Sequence, residues 1–267
     1  MDRQLLVICL LTVGINLIGT LAYAARIAGV RTRRIAMSFA LFNILVLVSR
    51  TSNSFLGPFL AKRIETRIAS GGGDALYGDF QLILLSASLA VAVGIILVPT
   101  GQRLFTRAIG YFQLHRSTAK MILHTATPTG LKTVRDALHP PTMTHLRSLR
   151  LNRGVGWGVL VANCLAQALI TVGVLASLYA GYLNPEFRVT ASQLSAVING
   201  FATILLFALI DPQLSVMTDD VIDGRLSEAV FRRTIIWISL SRLVGTILAQ
   251  ALFLPAAHLV ALLANYV

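Results

Sequence analysis

Two arginines stand inside runs that are otherwise apolar. Arg50 lies in the stretch from Ile35 to Gly57, and Arg242 in the stretch from Thr234 to Val260. A guanidinium keeps its proton at any ordinary pH. Placing one at the centre of a bilayer costs about 2.5–3.5 kcal/mol on insertion scales. Such a residue calls for an anionic partner, and phosphate fits because guanidinium groups bind it through bidentate contacts. No carboxylate lies near the middle of any apolar run; the nearest are Asp211 and Asp79. An Arg242–Asp211 ion pair is therefore the structural alternative to a ligand site.

Polar side chains accompany the arginines at helical spacing. Asn43, Arg50 and Asn53 follow at intervals of 7 and 3, and Ser239, Arg242 and Thr246 at 3 and 4. Thr12, Asn16, Thr20 and Tyr23 form a third stripe, Asn163, Gln167 and Thr171 a fourth, and Asn199 with Thr203 a fifth. The candidate binding residues are Arg50, Arg242, Asn43, Asn53, Asn16, Asn163 and Gln167. Arg26 and Arg31, on a basic rim with Arg33 and Arg34, complete the set as the entrance. The competing reading is bonding between helices, at about 0.6–2 kcal/mol per bond.

Asp219, Asp220 and Asp223 form the only other constellation with chemical character. Clustered aspartates hold Mg²⁺ and, through it, a diphosphate. The spacing resembles the aspartate motif of prenyl-diphosphate enzymes, which need a second cluster that this chain lacks. It also resembles the opening of the CDP-alcohol phosphatidyltransferase pattern. That pattern continues with Ala-Arg where Ser227-Glu228 stand here, and no aspartate follows Asp223. Neither pattern is completed, so the cluster reads as an exposed loop with helix-capping acids. His115, His124, His139 and His145 are spaced at 9, 15 and 6, which matches no usual metal pattern. No metal or cofactor is expected. Cys9 and Cys164 read as small buried apolar residues.

The elements that must position these residues are membrane spans. The chain has 267 residues, 55% hydrophobic and 13% charged, with mean hydropathy +0.74. Soluble domains carry roughly 25% charge. The composition therefore predicts an all-α, polytopic membrane protein forming a single domain over 1–267. Six spans of about 20 residues emerge, near 4–24, 35–57, 79–98, 155–183, 193–210 and 234–260. The first is too long for a signal peptide's apolar core of about 7–15 residues and is expected as a retained helix. Net charge is +12, with sixteen Lys and Arg in the odd loops against five in the even loops and N-terminal segment. The odd loops are therefore expected in the cytoplasm, with both termini outside. The bases sit beside apolar spans and no nucleic-acid motif is present. Anionic lipid headgroups, not nucleic acid, are the expected partners. The one long connection, 99–154, should lie as amphipathic helices (129–139 and 144–153) on the membrane surface. Six spans could divide as a 3+3 inverted repeat. Counted along the predicted spans, Arg242 lies about 12 Å and Arg50 about 22 Å from the cytoplasmic helix start, as stations at different depths.

Two long segments carry a family resemblance. Gly19-Thr-Leu-Ala-Tyr-Ala-Ala-Arg-Ile-Ala-Gly-Val-Arg-Thr-Arg-Arg34 is followed by Ser38-Phe-Ala-Leu-Phe-Asn-Ile-Leu-Val-Leu-Val-Ser-Arg-Thr-Ser-Asn53. With Ser239-Leu-Ser-Arg-Leu-Val-Gly-Thr-Ile-Leu-Ala-Gln250, they resemble the Amj family of bacterial lipid II flippases. The resemblance implies a multi-pass protein of the bacterial inner membrane. It further implies movement of lipid II, the undecaprenyl-pyrophosphate-linked peptidoglycan precursor, to the outer leaflet. It maps no substrate residues. A metal-dependent enzyme acting on a lipid diphosphate, or a structural or sensory membrane protein without transport, are the other readings.

Overall fold

The protein is described by a computed structural model covering residues 2–115, 127, 132, 135–138 and 154–267. Among these residues the fold is all-helical, with six helices long and apolar enough to cross a membrane. The elements are α1 (Arg3–Thr32), α2 (Ile35–Ala69), α3 (Leu76–His115), α4 (Trp157–Leu183), α5 (Arg188–Leu205), α6 (Asp211–Ile222) and α7 (Glu228–Leu263). A π-helical turn, Leu206–Ile210, joins α5 to α6 into one span.

The helices run longer than the apolar runs alone indicate. Pro58, Pro99 and Pro255 lie inside α2, α3 and α7. A membrane helix tolerates proline because neighbouring helices satisfy the carbonyl it frees. Pro99 therefore does not open the long loop, and α3 continues to His115. Nor does Asp211-Pro212 end the fifth span. Pro212, at the start of α6, has no N–H to give, and the π turn absorbs the break in the ladder. Asp211 thus sits within a continuous rod. Most of the amphipathic helices expected at 129–139 and 144–153 lies outside the described residues. Residues 132 and 135–137 are helical.

Local chemistry fixes the ends. The Asp2 carboxylate caps α1 by accepting from the Leu5 N–H at 2.9 Å. Arg33 adopts the left-handed conformation (φ 52°), and its N–H returns to Gly29 and Val30 carbonyls, closing α1 before the tight turn into α2. Gly29 has no side chain because Ser38 of α2 occupies that space.

Packing follows the same plan in both halves. α1 packs on α2 and α3, and α4 packs on α5 and α7. The halves meet chiefly where α3 lies against α7. α2 and the α5–α6 rod are the least buried spans and lie as arms against a centre formed by α1, α3, α4 and α7. This is the arrangement a 3+3 repeat produces. Gly245 allows close approach of α7 to α4: an added Cβ would meet the Cys164 carbonyl and lie 3.2 Å from the Ala168 nitrogen.

Two apolar clusters close the ends of the bundle. One is built around Leu60, Phe80, Tyr179 and Phe253, with Phe80 stacked on Phe253 at 5.4 Å. The other, at the end carrying the Arg33–Arg34 turn, holds Phe42, Ile109, Leu214, Phe231 and Ile238. Between them polar side chains enter the interior among apolar ones.

Candidate functional site: an arginine-lined cavity

A cavity of about 300 Å³ lies between the two clusters, lined by residues of α1 to α7. Periodicity brings polar groups to it from four helices. α1 supplies Thr12, Asn16 and Tyr23; α2 supplies Ser49, Arg50 and Asn53; α4 supplies Gln167 and Thr171; α5 supplies Asn199 and Thr203. Arg242 of α7 and Asp211 at the start of α6 complete it.

Arg242 enters over Gly19. A Cβ at that position would lie 2.8 Å from Arg242 Nη2 and 3.1 Å from Nη1, so α1 leaves space for a guanidinium there. Nη2 donates to Asn16 Oδ1 at a long 3.4 Å, and the buried Nε has no partner among the described residues. Asn16 is itself held, donating to the Thr12 carbonyl at 3.0 Å. Asn199 Oδ1 is likewise buried without a hydrogen-bond donor among the described residues. Arg50 is exposed, at the mouth of the cavity. Its Nη1 donates to Thr203 Oγ1 at 3.1 Å and its guanidinium lies 5.6 Å over the Phe207 ring.

Asp211 does not pair with Arg242. Its Oδ1 accepts from Arg26 Nη2 at 2.8 Å. Arg26 is 2% exposed and lies over the Phe39 and Phe42 rings at 4.9 and 4.4 Å. Arg26 is therefore not part of an exposed rim. It lies six residues from the end of α1, a turn and a half inside the bundle, and neutralises the cavity's one carboxylate. That leaves Arg50 and Arg242 as two guanidinium groups without a salt-bridged carboxylate among the described residues.

The other expected site residues divide cleanly. Asn53, Asn16 and Gln167 line the cavity with the two arginines. Asn43 is exposed and outside the cavity lining, although the adjacent Phe42 lines it. Asn163 is fully buried and donates to the Ile238 carbonyl (2.9 Å) and Ser241 Oγ (2.6 Å), tying α4 to α7. Arg31 pairs with Glu228 at 2.7 Å on the rim. The expected difference in depth also disappears. α7 begins at Glu228 instead of near Thr234, so Arg242 lies about 21 Å and Arg50 about 22 Å along their helices. Both arginines serve one cavity. Asp211 and Phe207 were not expected at a binding site; the i+4 series Thr203, Phe207, Asp211 in the sequence is the signal that puts them on one face.

The aspartate cluster is engaged elsewhere. Arg225 Nη2 bridges Asp220 at 3.0 Å and Asp223 at 2.7 Å. Among the described residues no group of three or more His, Cys, Asp or Glu side chains is placed to hold a metal. Of the expected histidines, 124, 139 and 145 lie outside the described residues. Near the opposite end of the bundle, Arg63 is 2% exposed and donates to both Asp2 and Asp79. The adjacent guanidinium, together with the Leu5 N–H, holds the Asp2 carboxyl below its usual value of 3.8.

The chain is similar to known proteins over nearly its whole length. Residues 11–264 match the family model described as Amj, Alternate to MurJ. The chain is 35% identical over 266 residues to a Bacillus subtilis (strain 168) protein named lipid II flippase Amj, covering 99% of this chain and 97% of that protein. No solved structure matches the chain.

Proposed function

The chain belongs to the Amj family, and on that premise we propose that it is a flippase. Its substrate is lipid II, carried from the inner to the outer leaflet of the bacterial cytoplasmic membrane. The observation that carries this reading is the pair of uncompensated guanidinium groups, Arg50 and Arg242, on one cavity. A diphosphate esterified at both ends bears two negative charges, which matches two guanidinium groups. Each guanidinium–phosphate contact is charge-assisted and stronger than a neutral hydrogen bond. Asn16, Asn53, Gln167, Asn199 and Thr203 supply donors and acceptors for hydroxyl and amide groups next to the diphosphate.

The chemistry asked of the site is binding and release. No bond in the substrate is broken, and the protein acts as a transporter, not an enzyme. Aspartates 220 and 223, bridged by Arg225, are outside the cavity lining, which gives the metal-dependent transferase reading no support. The basic end, with Arg31, Arg33 and Arg34, faces the cytoplasm by the distribution of Lys and Arg. The substrate then meets Arg50 and Arg242 together near mid-membrane, not in sequence.

The test is complementation. In a strain depleted of its other lipid II flippase, Arg50→Ala and Arg242→Ala should each fail to restore growth. Outer-leaflet lipid II should stay at the depleted level while the variant accumulates normally in the membrane. Normal growth of both variants at equal expression refutes the assignment of the arginines. Absence of rescue by the unmodified chain refutes the flippase reading itself.

A further inference from the structure

We infer that the seam between α2 and the α5–α6 rod is a side opening that takes the substrate's polyprenyl chain while its diphosphate occupies Arg50 and Arg242. This rests on the flippase reading. A tail of many isoprene units is too large to follow the headgroup into a cavity of about 300 Å³. Each CH₂ withdrawn from lipid costs about 0.8 kcal/mol. The cavity must therefore communicate sideways with the membrane, and among the described residues the seam between α2 and the α5–α6 rod adjoins it.

The two arms each pack on the first helix of their own half, and among the described residues they share no extended contact with each other. Among the described residues, a polar contact across the gap is made by Arg50. Arg50 reaches from α2 to Thr203 Oγ1 at 3.1 Å and lies over Phe207 of the facing rod. The contact is symmetric in register: Arg50 stands fifteen residues after Ile35, and Thr203 fifteen after Arg188. The cavity lies directly behind this bridge, since Arg50, Thr203 and Phe207 all line it. In front of it the seam is flanked by apolar side chains, with Leu47 65% and Ile204 62% exposed. Cation behind and apolar walls in front match an amphiphile whose diphosphate and hydrocarbon are joined end to end. A diphosphate arriving on Arg50 competes with Thr203, a neutral acceptor, so binding the headgroup and unlatching the seam become one event.

Photocrosslinking tests this. Full-length chain carrying benzoylphenylalanine at Leu47 or Ile204 is compared with chain carrying it at Leu89 or Val161, which are similarly exposed on α3 and α4. Each is reconstituted in phosphatidylethanolamine–phosphatidylglycerol vesicles containing lipid II, and checked for a monodisperse elution profile. The expected result is several-fold more lipid II adduct, by mass spectrometry, at Leu47 and Ile204 than at Leu89 and Val161. The excess should vanish when free polyprenol replaces lipid II as the probe. Equal adduct at all four positions, with the unmodified chain still rescuing flippase-depleted cells, overturns the seam assignment and leaves the function standing. A several-fold excess that persists with free polyprenol also overturns it, because the diphosphate would then play no part.

Discussion

Replacing Asp211 with asparagine should destabilise the protein strongly, and the loss should depend on Arg26, not Arg242. Arg26 is 2% exposed and Asp211 19%. Asparagine fits the space and removes the charge, leaving a guanidinium buried against Phe39 and Phe42 with no anion. Arg26 Nε and Nη1 already lack partners among the described residues, so nothing else can take up the load. Breaking a buried pair from one side costs about 3–5 kcal/mol. The exposure of Asp211 toward the cavity favours the lower figure, because water there stabilises its charge less differently from bulk. At about 2–4 °C per kcal/mol for a chain of this length, the thermal midpoint should fall by about 6–20 °C. The assay is fluorescence-detected size exclusion after heating, on detergent-solubilised protein. A double-mutant cycle identifies the partner. Arg26→Met should couple to Asp211→Asn by more than about 1 kcal/mol, whereas Arg242→Met should be additive within about 0.5 kcal/mol. A midpoint change under about 2 °C, less than 1 kcal/mol on the same scale, or coupling to Arg242 instead, refutes the assignment of the pair.

Gly19→Ala should displace the Arg242 guanidinium, whose Nη2 lies 2.8 Å from the added Cβ. Because a flexible side chain yields cheaply, outer-leaflet lipid II in flippase-depleted cells should fall several-fold with little change in thermal midpoint; full transport would show that Arg242 is not held in place by α1. The triple variant Asp219→Asn, Asp220→Asn, Asp223→Asn should still complement the depleted strain, and chelation of divalent metal should leave transport in vesicles unchanged. Metal-dependent activity lost in that variant would point back to an enzyme. Finally, the lowered carboxyl of Asp2 means that its ionised form binds better folded than unfolded, so its stabilisation is fully present above about pH 4 and is lost as pH falls further. The difference in thermal midpoint between the natural chain and Asp2→Asn should shrink as pH falls below about 4, and a difference that is constant with pH would contradict the Asp2–Arg63 contact.

The sequence by itself determined the solvent, the number of spans and the residues too costly to be there by default. Apolar length and charge exclusion are properties of local composition, so six spans and the anomaly of Arg50 and Arg242 were legible without coordinates. Helical period put Asn16, Asn53 and Gln167 on faces shared with polar neighbours, and the same period leads to the cavity. Depth and partnership were not legible. Helix ends depend on whether neighbouring helices satisfy groups freed at Pro99 and Pro212, which no local pattern encodes. The start of α7 moved for a separate reason: Ser227 caps it, its Oγ accepting from the Val230 N–H, so the helix begins ahead of the apolar run and the depth of Arg242 changes with it. Which arginine Asp211 takes is decided by the rotation and packing of α1 against α6, and tertiary contact assigned it to Arg26. Asn43 and Asn163 share the residue type of Asn16 and Asn53. One lies outside the cavity lining and the other bonds α4 to α7, because the arms and the centre bury different faces of similar stripes. The seam between α2 and the α5–α6 rod exists only in three dimensions, where two arms that each fold on their own half share no extended contact among the described residues and Arg50 reaches across.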